Sequence, residues 1–320
     1  MVDDAREFTS TLNEEIFFDD NWDDFLNGAQ NISDEELQSF EENVQFDDAV
    51  NIQYTSGTTG FPKGVTLSHH NILNNGYFIG IRMNYTEKDR VCIPVPFYHC
   101  FGMVIGNLCC TAHGATMVIP NDSFDPKLTL EVVEKEKCTS LYGVPTMFIA
   151  ELHEMDIKNY NLTSLRTGVM AGAVCPPEVM KRVENQMNMK AVTICYGMTE
   201  TSPVSTQTKI GTPFEKQIHS VGTIHDHLEI KIINPETGKI VNRGKNGELC
   251  TRGYSVMLKY WDNPEATNQV LDSARWMHTG DLAMMDEEGY IHISGRIKDL
   301  IIRGGENISP KEIEDFLYQY

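Results

Sequence analysis

Tyr54-Thr-Ser-Gly-Thr-Thr-Gly-Phe-Pro-Lys63-Gly64 is the densest local signal in this chain. The ten residues from Thr55 to Gly64 hold three glycines, four hydroxyl side chains and one lysine, and they follow the strand-like run Asn51 to Thr55. Glycine permits positive φ and close backbone approach, so consecutive N–H groups can converge on one anion. The hydroxyls of Thr55, Ser56, Thr58 and Thr59 add donors, and Lys63 adds mobile positive charge. The pattern therefore predicts a phosphate cradle. It is not a Walker A loop, because Pro62 stands where that motif needs its second glycine.

Working outward, the pattern predicts a helix-like stretch from Leu67 to Ile79 after the loop. Strands are expected at Cys92–Pro96, Ala115–Ile119, Ser140–Val144, Arg166–Ala171 and Ala191–Cys195. Helices are expected at Leu128–Lys137 and at Pro176–Met187, where Pro177 and Glu178 suit a helix N-terminus. This alternation argues for a layered α/β core with much parallel pairing. Beyond about residue 216 strands and turns dominate: Leu228–Ile233, a Pro235–Gly238 turn, Gly247–Arg252 and Tyr290–Ser294. They suggest a small β subdomain. The expected organisation is thus an acidic linker or remnant (1–48), an α/β core (49–215), a β-rich subdomain (216–296) and a final segment (297–320).

Across 320 residues, 46 acidic against 26 basic side chains give a net charge of −20, which argues against a nucleic-acid or anionic-membrane partner. The imbalance is local: residues 1–48 hold sixteen Asp or Glu and one basic residue, Arg6. Short helices are expected there around Ile16–Phe18 and over Ser33–Phe40, with Ser33 and Glu36 spaced as a capping box. Eight cysteines without a CxxC pair or framework spacing read as buried small hydrophobes in a reducing compartment. The longest apolar stretch, Phe101–Pro120, is broken by Asn107, His113 and three glycines, so no membrane span is expected. His225-Asp-His227 hints at metal ligation, but no third ligand lies near it in sequence.

Four further motifs follow the loop: Tyr196-Gly-Met-Thr-Glu200, Gly247-Glu-Leu-Cys-Thr-Arg-Gly253, Trp276-Met-His-Thr-Gly-Asp281 and Gly295-Arg-Ile-Lys-Asp-Leu-Ile-Ile-Arg-Gly-Gly-Glu-Asn-Ile308. In this order the five resemble the adenylate-forming enzymes: acyl-CoA synthetases, luciferases and peptide-synthetase adenylation domains. The runs Asn51-Ile-Gln-Tyr-Thr-Ser, Pro94-Val-Pro-Phe-Tyr-His-Cys and Ile301-Ile-Arg-Gly-Gly-Glu-Asn-Ile look like the mitochondrial medium-chain acyl-CoA ligase type.

The resemblance implies a layered α/β adenylate-forming core and a two-step reaction. A fatty acid carboxylate attacks the α-phosphorus of ATP to give acyl-AMP and pyrophosphate, and the thiol of CoA then displaces AMP. Bringing two anions together calls for positioning and charge neutralisation. The loop residues Thr55, Ser56, Gly57, Thr58, Thr59, Gly60, Phe61, Pro62 and Lys63 would hold the β- and γ-phosphates. Thr199 would donate to the α-phosphate and Glu200 would ligate Mg²⁺. Asp281 would accept from the ribose hydroxyls, with Arg296 as a second ribose contact. Gly172 and Ala173 fall where the family binds adenine, and Tyr196 would stack on the base. His99 would steer the carboxylate, in a channel drawn from Tyr98–Phe101, Tyr142–Val144 and Tyr196. Lys298 takes the family's hinge position, and Gly304-Gly305 the loop near the pantetheine arm of CoA.

The resemblance covers about residue 49 to the last residue, and the chain departs from the pattern at both ends. The family's C-terminal lysine, which contacts carboxylate and phosphate, has no counterpart before Tyr320, and most of the N-terminal subdomain is missing. A partial chain that adenylates poorly is therefore expected. A carrier-protein adenylation enzyme and a non-catalytic binding remnant remain alternatives. Chain-length preference, oligomeric state and any upstream targeting peptide are not legible in these residues.

Overall fold

The computed structural model describes residues 15–55, 61–299, 301–303, 306–308 and 310. The chain divides into two compact units, Met1–Phe46 and Asp47–Tyr320. In the first, helices span Trp22–Gly28 and Asp34–Asn43, joined by a 3₁₀ turn at Ala29–Asn31. Ser33 caps the second helix, its Oγ accepting from the Glu36 N–H at 3.1 Å, as the spacing implies. The helix expected near Ile16–Phe18 is instead a turn, closed by the Asn21 side chain accepting from the Phe17 N–H. Asn21 thereby spends its oxygen outside a helix, and Phe18 rests edge-on against Trp22, the first residue of the helix that follows.

The second unit is built on a seven-stranded sheet. Its strands run Arg90–Cys92 (β3), Thr116–Val118 (β4), Ser140–Gly143 (β5), Thr167–Ala171 (β6), Ala191–Gly197 (β7), Val204–Gln207 (β8) and Thr223–Ile224 (β9). Their spatial order is β4-β3-β5-β6-β7-β8-β9. The first five pair in parallel, and β8 and β9 continue antiparallel. Both faces are covered, which explains the near-continuous apolar runs. Alternate side chains go to opposite layers. Leu141, Met170 and Ile194 pack with Leu130, Phe148, Leu152 and Val183, whose helices are Pro126–Glu136, Pro145–Ile157 and Pro177–Gln186. Tyr142, Val169, Ala171 and Cys195 pack on the other side with Ile79, Met83, Phe101 and Ile105. Each of the larger aliphatic side chains so enclosed contributes about 1.5–3 kcal/mol of burial. All eight cysteines are free and buried, as their scatter implies.

The segment after the glycine loop departs from expectation. Ala49–Thr55 (β1) and Lys63–Ser68 (β2) form an antiparallel hairpin, so Lys63 and Gly64 belong to a strand and not to the loop itself. Lys259–Tyr260 (β12) extends this sheet in the order β1-β2-β12. Leu67 is a buried strand residue, and the helix runs from His69 to Arg82. The switch is made by a reciprocal cap: the Asn71 N–H donates to Ser68 Oγ at 3.1 Å and the Ser68 N–H to Asn71 Oδ1 at 2.7 Å.

A separate four-stranded antiparallel sheet is made of Leu228–Ile233 (β10), Gly247–Gly253 (β11), Met277–Met285 (β13) and Ile291–Arg296 (β14), in that spatial order. Two irregularities shape it. Between Glu248 and Cys250 the partner strand carries extra residues, so Thr279-Gly280-Asp281 bulges from the ladder. Between β13 and β14, Leu282 faces Gly295 and Ala283 faces Ile293, which leaves Ser294 as a bulged residue. Ile301–Arg303 (β15) and Glu306–Ile308 (β16) pair antiparallel. Among the described residues no helix is long and apolar enough to cross a membrane.

Candidate active site

In open α/β sheets, ligands gather at the carboxyl ends of parallel strands. Here β6 ends at Ala171–Gly172, and β7 runs out through Tyr196 and Gly197 into a 3₁₀ turn, Thr199–Thr201. Gly172 takes φ +87°, open to glycine at little cost. Gly197 cannot be replaced without rearrangement, since a Cβ there would lie 1.7 Å from the Pro203 carbonyl oxygen. Between these two crossing points lies the turn that carries Thr199 and Glu200.

A cavity of about 890 Å³ opens there, lined among others by Thr55, Lys63, His99, Thr199, Glu200 and Lys298. A second, of about 490 Å³, adjoins it and is lined by Ala173 and Asp281. Both are walled by Gly172, Tyr196, Gly197 and Arg296. Residues far apart in sequence thus meet in two cavities with shared walls.

At one end of the larger cavity, Thr55 and Lys63 pair across the hairpin, bringing the two ends of the loop together. Lys63 Nζ sits 5.0 Å from the centroid of the Tyr260 ring, and the Tyr260 hydroxyl donates to Glu200 Oε1 at 2.7 Å. Burial, then the neighbouring Glu200 charge, raises the Tyr260 pKa and keeps the phenol a donor. Glu200 itself is 7% exposed, and its Oε2 makes no hydrogen bond among the described residues. Ser56, Gly57, Thr58, Thr59 and Gly60 lie outside the described residues, as do Gly304 and Gly305. Phe61 is 91% exposed, and neither it nor Pro62 lines either cavity.

At the adjoining cavity Asp281 is buried and bridged. The Tyr196 hydroxyl donates to its Oδ2 at 2.6 Å, and Arg296 Nε donates to Oδ1 at 3.2 Å. Asp281 and Arg296 are cross-strand partners on β13 and β14, so register alone brings them together. Burial raises the Asp281 carboxyl above its ordinary range, partly offset by Tyr196, Arg296 and Lys298. Desolvation of the half-buried Tyr196, then the neighbouring Asp281 charge, raises its pKa and holds its hydroxyl protonated.

His99 is exposed toward the larger cavity, where partial desolvation lowers its imidazolium pKa. Its Nδ1 accepts from the Phe101 N–H at 3.0 Å, leaving Nε2 as the nitrogen that carries the proton of the neutral ring. Phe101, Ile105, Ala171, Pro203 and Val204 give this side an apolar wall. Tyr142 does not contribute to it: the ring is fully buried, and Tyr85 donates to its hydroxyl in a network with Ser140. A large aromatic that finds its polar partners inside the core is drawn there rather than to the channel. His225 is buried against Gln207 Oε1 at 3.0 Å, a core contact with no metal partner nearby among the described residues.

Sequence reasoning missed Tyr260 and Gln53. Tyr260 reaches Glu200 only because β12 pairs with β2, and a two-residue strand leaves no pattern to read. Gln53 lines the cavity and accepts from the Cys100 thiol at 2.9 Å; its place on the strand before the loop was the available signal.

The sequence profile of the AMP-binding enzymes matches residues 3–261. YngI of Bacillus subtilis (strain 168), provisionally named an acyl-CoA synthetase, is 54% identical over 299 residues, covering 93% of this chain and 54% of its own. The mitochondrial medium-chain acyl-CoA ligase ACSF2 of Danio rerio is 49% identical over 291 residues, 89% of this chain and 48% of that protein. The solved o-succinylbenzoate-CoA synthetase MenE of Bacillus subtilis, in complex with ATP and a magnesium ion, superposes with a TM-score of 0.77 at 30% identity over 85% of this chain and 55% of its own. The chain spans about half the length of the curated relatives it matches. On this profile match and these identities, the chain belongs to the AMP-binding enzyme family.

Proposed function

We propose that this chain carries the nucleotide- and acyl-binding part of an ATP-dependent acid–thiol ligase that activates a fatty acid through acyl-AMP and passes it to CoA. The observation that carries the reading is a pair of cavities that share the walls Tyr196 and Arg296, one lined by Thr55, Lys63, Thr199 and Glu200 and the other by Asp281. In this reading Asp281 accepts from the ribose hydroxyls, and Arg296 and Tyr196 fix its carboxylate for that purpose. Lys63 neutralises the terminal phosphates, and the Thr199 hydroxyl donates to the α-phosphate. Gly172 and Ala173 admit the flat base against the backbone, with Tyr196 beside it. His99, neutral and protonated at Nε2, orients the incoming carboxylate without adding competing charge. Lys298 is the point about which the residues beyond it turn.

Magnesium fits the donors present: Glu200 offers one oxygen fixed by Tyr260 and one without a protein partner among the described residues, a hard ligand in a partly dry setting. When bound, the ion would supply charge neutralisation at the phosphates. The apolar wall supports a hydrocarbon substrate, and the zebrafish relative's name supports a medium-chain one. Mitochondrial residence rests on that same name, whereas YngI is bacterial.

The test is ATP–pyrophosphate exchange with purified chain, dependent on octanoate. Exchange above the acid-free background supports adenylation; its absence, with ATP binding retained, makes the chain a binding remnant. Supplying CoA against a phosphopantetheinyl carrier protein as acceptor then separates the ligase from a carrier-protein adenylation enzyme.

A further inference from the structure

A second set of side chains, outside the nucleotide-binding groups, converges beneath the Thr279–Asp281 bulge. Glu248 and Cys250 lie two residues apart on β11 and so share one face; His278 is the direct cross-strand partner of Cys250 on β13. Their donor atoms all lie within 4.8 Å of one another, the one such triplet among the described residues. His278 Nδ1 is 3.0 Å from Glu248 Oε2 and 3.6 Å from Cys250 Sγ. Cys250 is fully buried, the Glu248 side chain is 12% exposed and the His278 side chain 30% exposed.

One ring nitrogen cannot satisfy both neighbours. With a proton on Nδ1 it donates to the carboxylate, and the thiol hydrogen is left without that acceptor. Without the proton, the nitrogen lone pair faces the carboxylate lone pairs. A cation at the centre resolves the conflict, because all three atoms then act as donors of electron pairs. The nitrogen–sulfur separation also suits it: nitrogen and sulfur bound to one tetrahedral zinc at about 2.0–2.1 and 2.3 Å are held about 3.6 Å apart.

We propose that Glu248, Cys250 and His278 form a binding site for a zinc-class divalent cation. Thiolate, imidazole and carboxylate together select a borderline-soft metal over magnesium. Binding forms a metal–sulfur bond and breaks the S–H bond of Cys250, with the proton released to solvent. Glu248 Oε1 also accepts from the Gly280 N–H at 3.2 Å, so the site grips the bulge that presents Asp281. His278 lines the larger cavity, and three protein ligands leave a tetrahedral ion one position for water. The assignment is independent of the proposed ligase reaction.

The test is titration of the purified chain with Co²⁺, followed by displacement with Zn²⁺. The expected result is one thiolate-to-cobalt charge-transfer band per chain, lost on adding zinc and unaffected by Mg²⁺. Cys250→Ser should abolish the band, and Cys138→Ser, in the separate parallel-sheet layer, should keep it. Should Cys250→Ser fail to fold, His278→Ala at the exposed edge serves: zinc affinity should drop by about tenfold or more. No band in the wild-type chain, or a band and affinity unchanged in Cys250→Ser or His278→Ala, overturns the proposal.

Discussion

Replacing Asp281 with Asn should move stability and nucleotide binding in opposite directions. Burial raises the Asp281 carboxyl above its ordinary range, so the folded chain binds this proton more tightly than the unfolded chain does. The stabilising contribution is therefore complete below the ordinary carboxylate range and is lost as pH rises through the raised folded value. An amide imitates the protonated acid and can keep partners in both directions, its oxygen facing Arg296 and its NH₂ the Tyr196 oxygen. Asp281→Asn is thus expected to be more stable than wild type at neutral pH, with the advantage shrinking as acid protonates the wild-type carboxyl. Ribose recognition should suffer in return. A hydrogen bond to a charged acceptor exceeds a neutral one by about 1–1.5 kcal/mol, so two ribose hydroxyls lose about 2–3 kcal/mol, roughly 30- to 150-fold in Kd. Thermal denaturation across a pH series measures the first effect, and titration with a fluorescent ATP analogue the second. A variant less stable than wild type at neutral pH, or one binding the analogue within about twofold of wild type, would refute the reasoning.

Lys63→Ala should weaken pyrophosphate binding by calorimetry while leaving the melting temperature nearly unchanged, since among the described residues the ammonium's contact is with the Tyr260 ring. Tyr260→Phe strips the hydroxyl from buried Glu200 and should cost about 1–3 kcal/mol in denaturant unfolding. Gly197→Ala forces the Pro203 carbonyl aside and should destabilise by about 1–3 kcal/mol or more, with nucleotide binding lost at temperatures where the chain is still folded. Met170→Ala, in the sheet core, should cost about 2–5 kcal/mol with nucleotide affinity retained in the folded fraction.

The parallel strands were legible because their burial on both faces writes continuous apolar runs, as in Ser140–Gly143 and Thr167–Ala171. Two of the helices carry their own start signals, Asp125 with Pro126 and Pro176 with Pro177, whereas Pro145–Ile157 was not among the expected helices. Lys63–Ser68 misled because its short run merges with the apolar residues of the helix behind it, and only the Ser68–Asn71 cap marks the boundary. Met277–Met285 was hidden for another reason. Its bulge interrupts the two-residue alternation where Thr279-Gly280-Asp281 leaves the ladder, so the segment reads as a turn. Cavity-lining residues such as Lys63, Glu200 and Asp281 sit in motifs that a sequence displays, whereas their hydrogen-bond partners are not marked in this way. The Tyr260 hydroxyl on Glu200 and the converging Glu248, Cys250 and His278 depend on strand register, which a single sequence does not display.

The extra residue at Ser294 makes the edge strand Ile291–Arg296 asymmetric toward changes in length. Counting from Ile293, whose side chain packs with Ala283, Arg296 is three residues on and would by strict alternation point away from Asp281. The slack residue absorbs the odd step. Removing it would leave Arg296 two residues from Ile293, still opposite Asp281 and on the same side. Adding a residue at the same place would set Arg296 four residues from Ile293, on the same side but carried out of register with Asp281 unless a second residue bulged. This edge of the sheet should therefore forgive a one-residue loss and punish a one-residue gain.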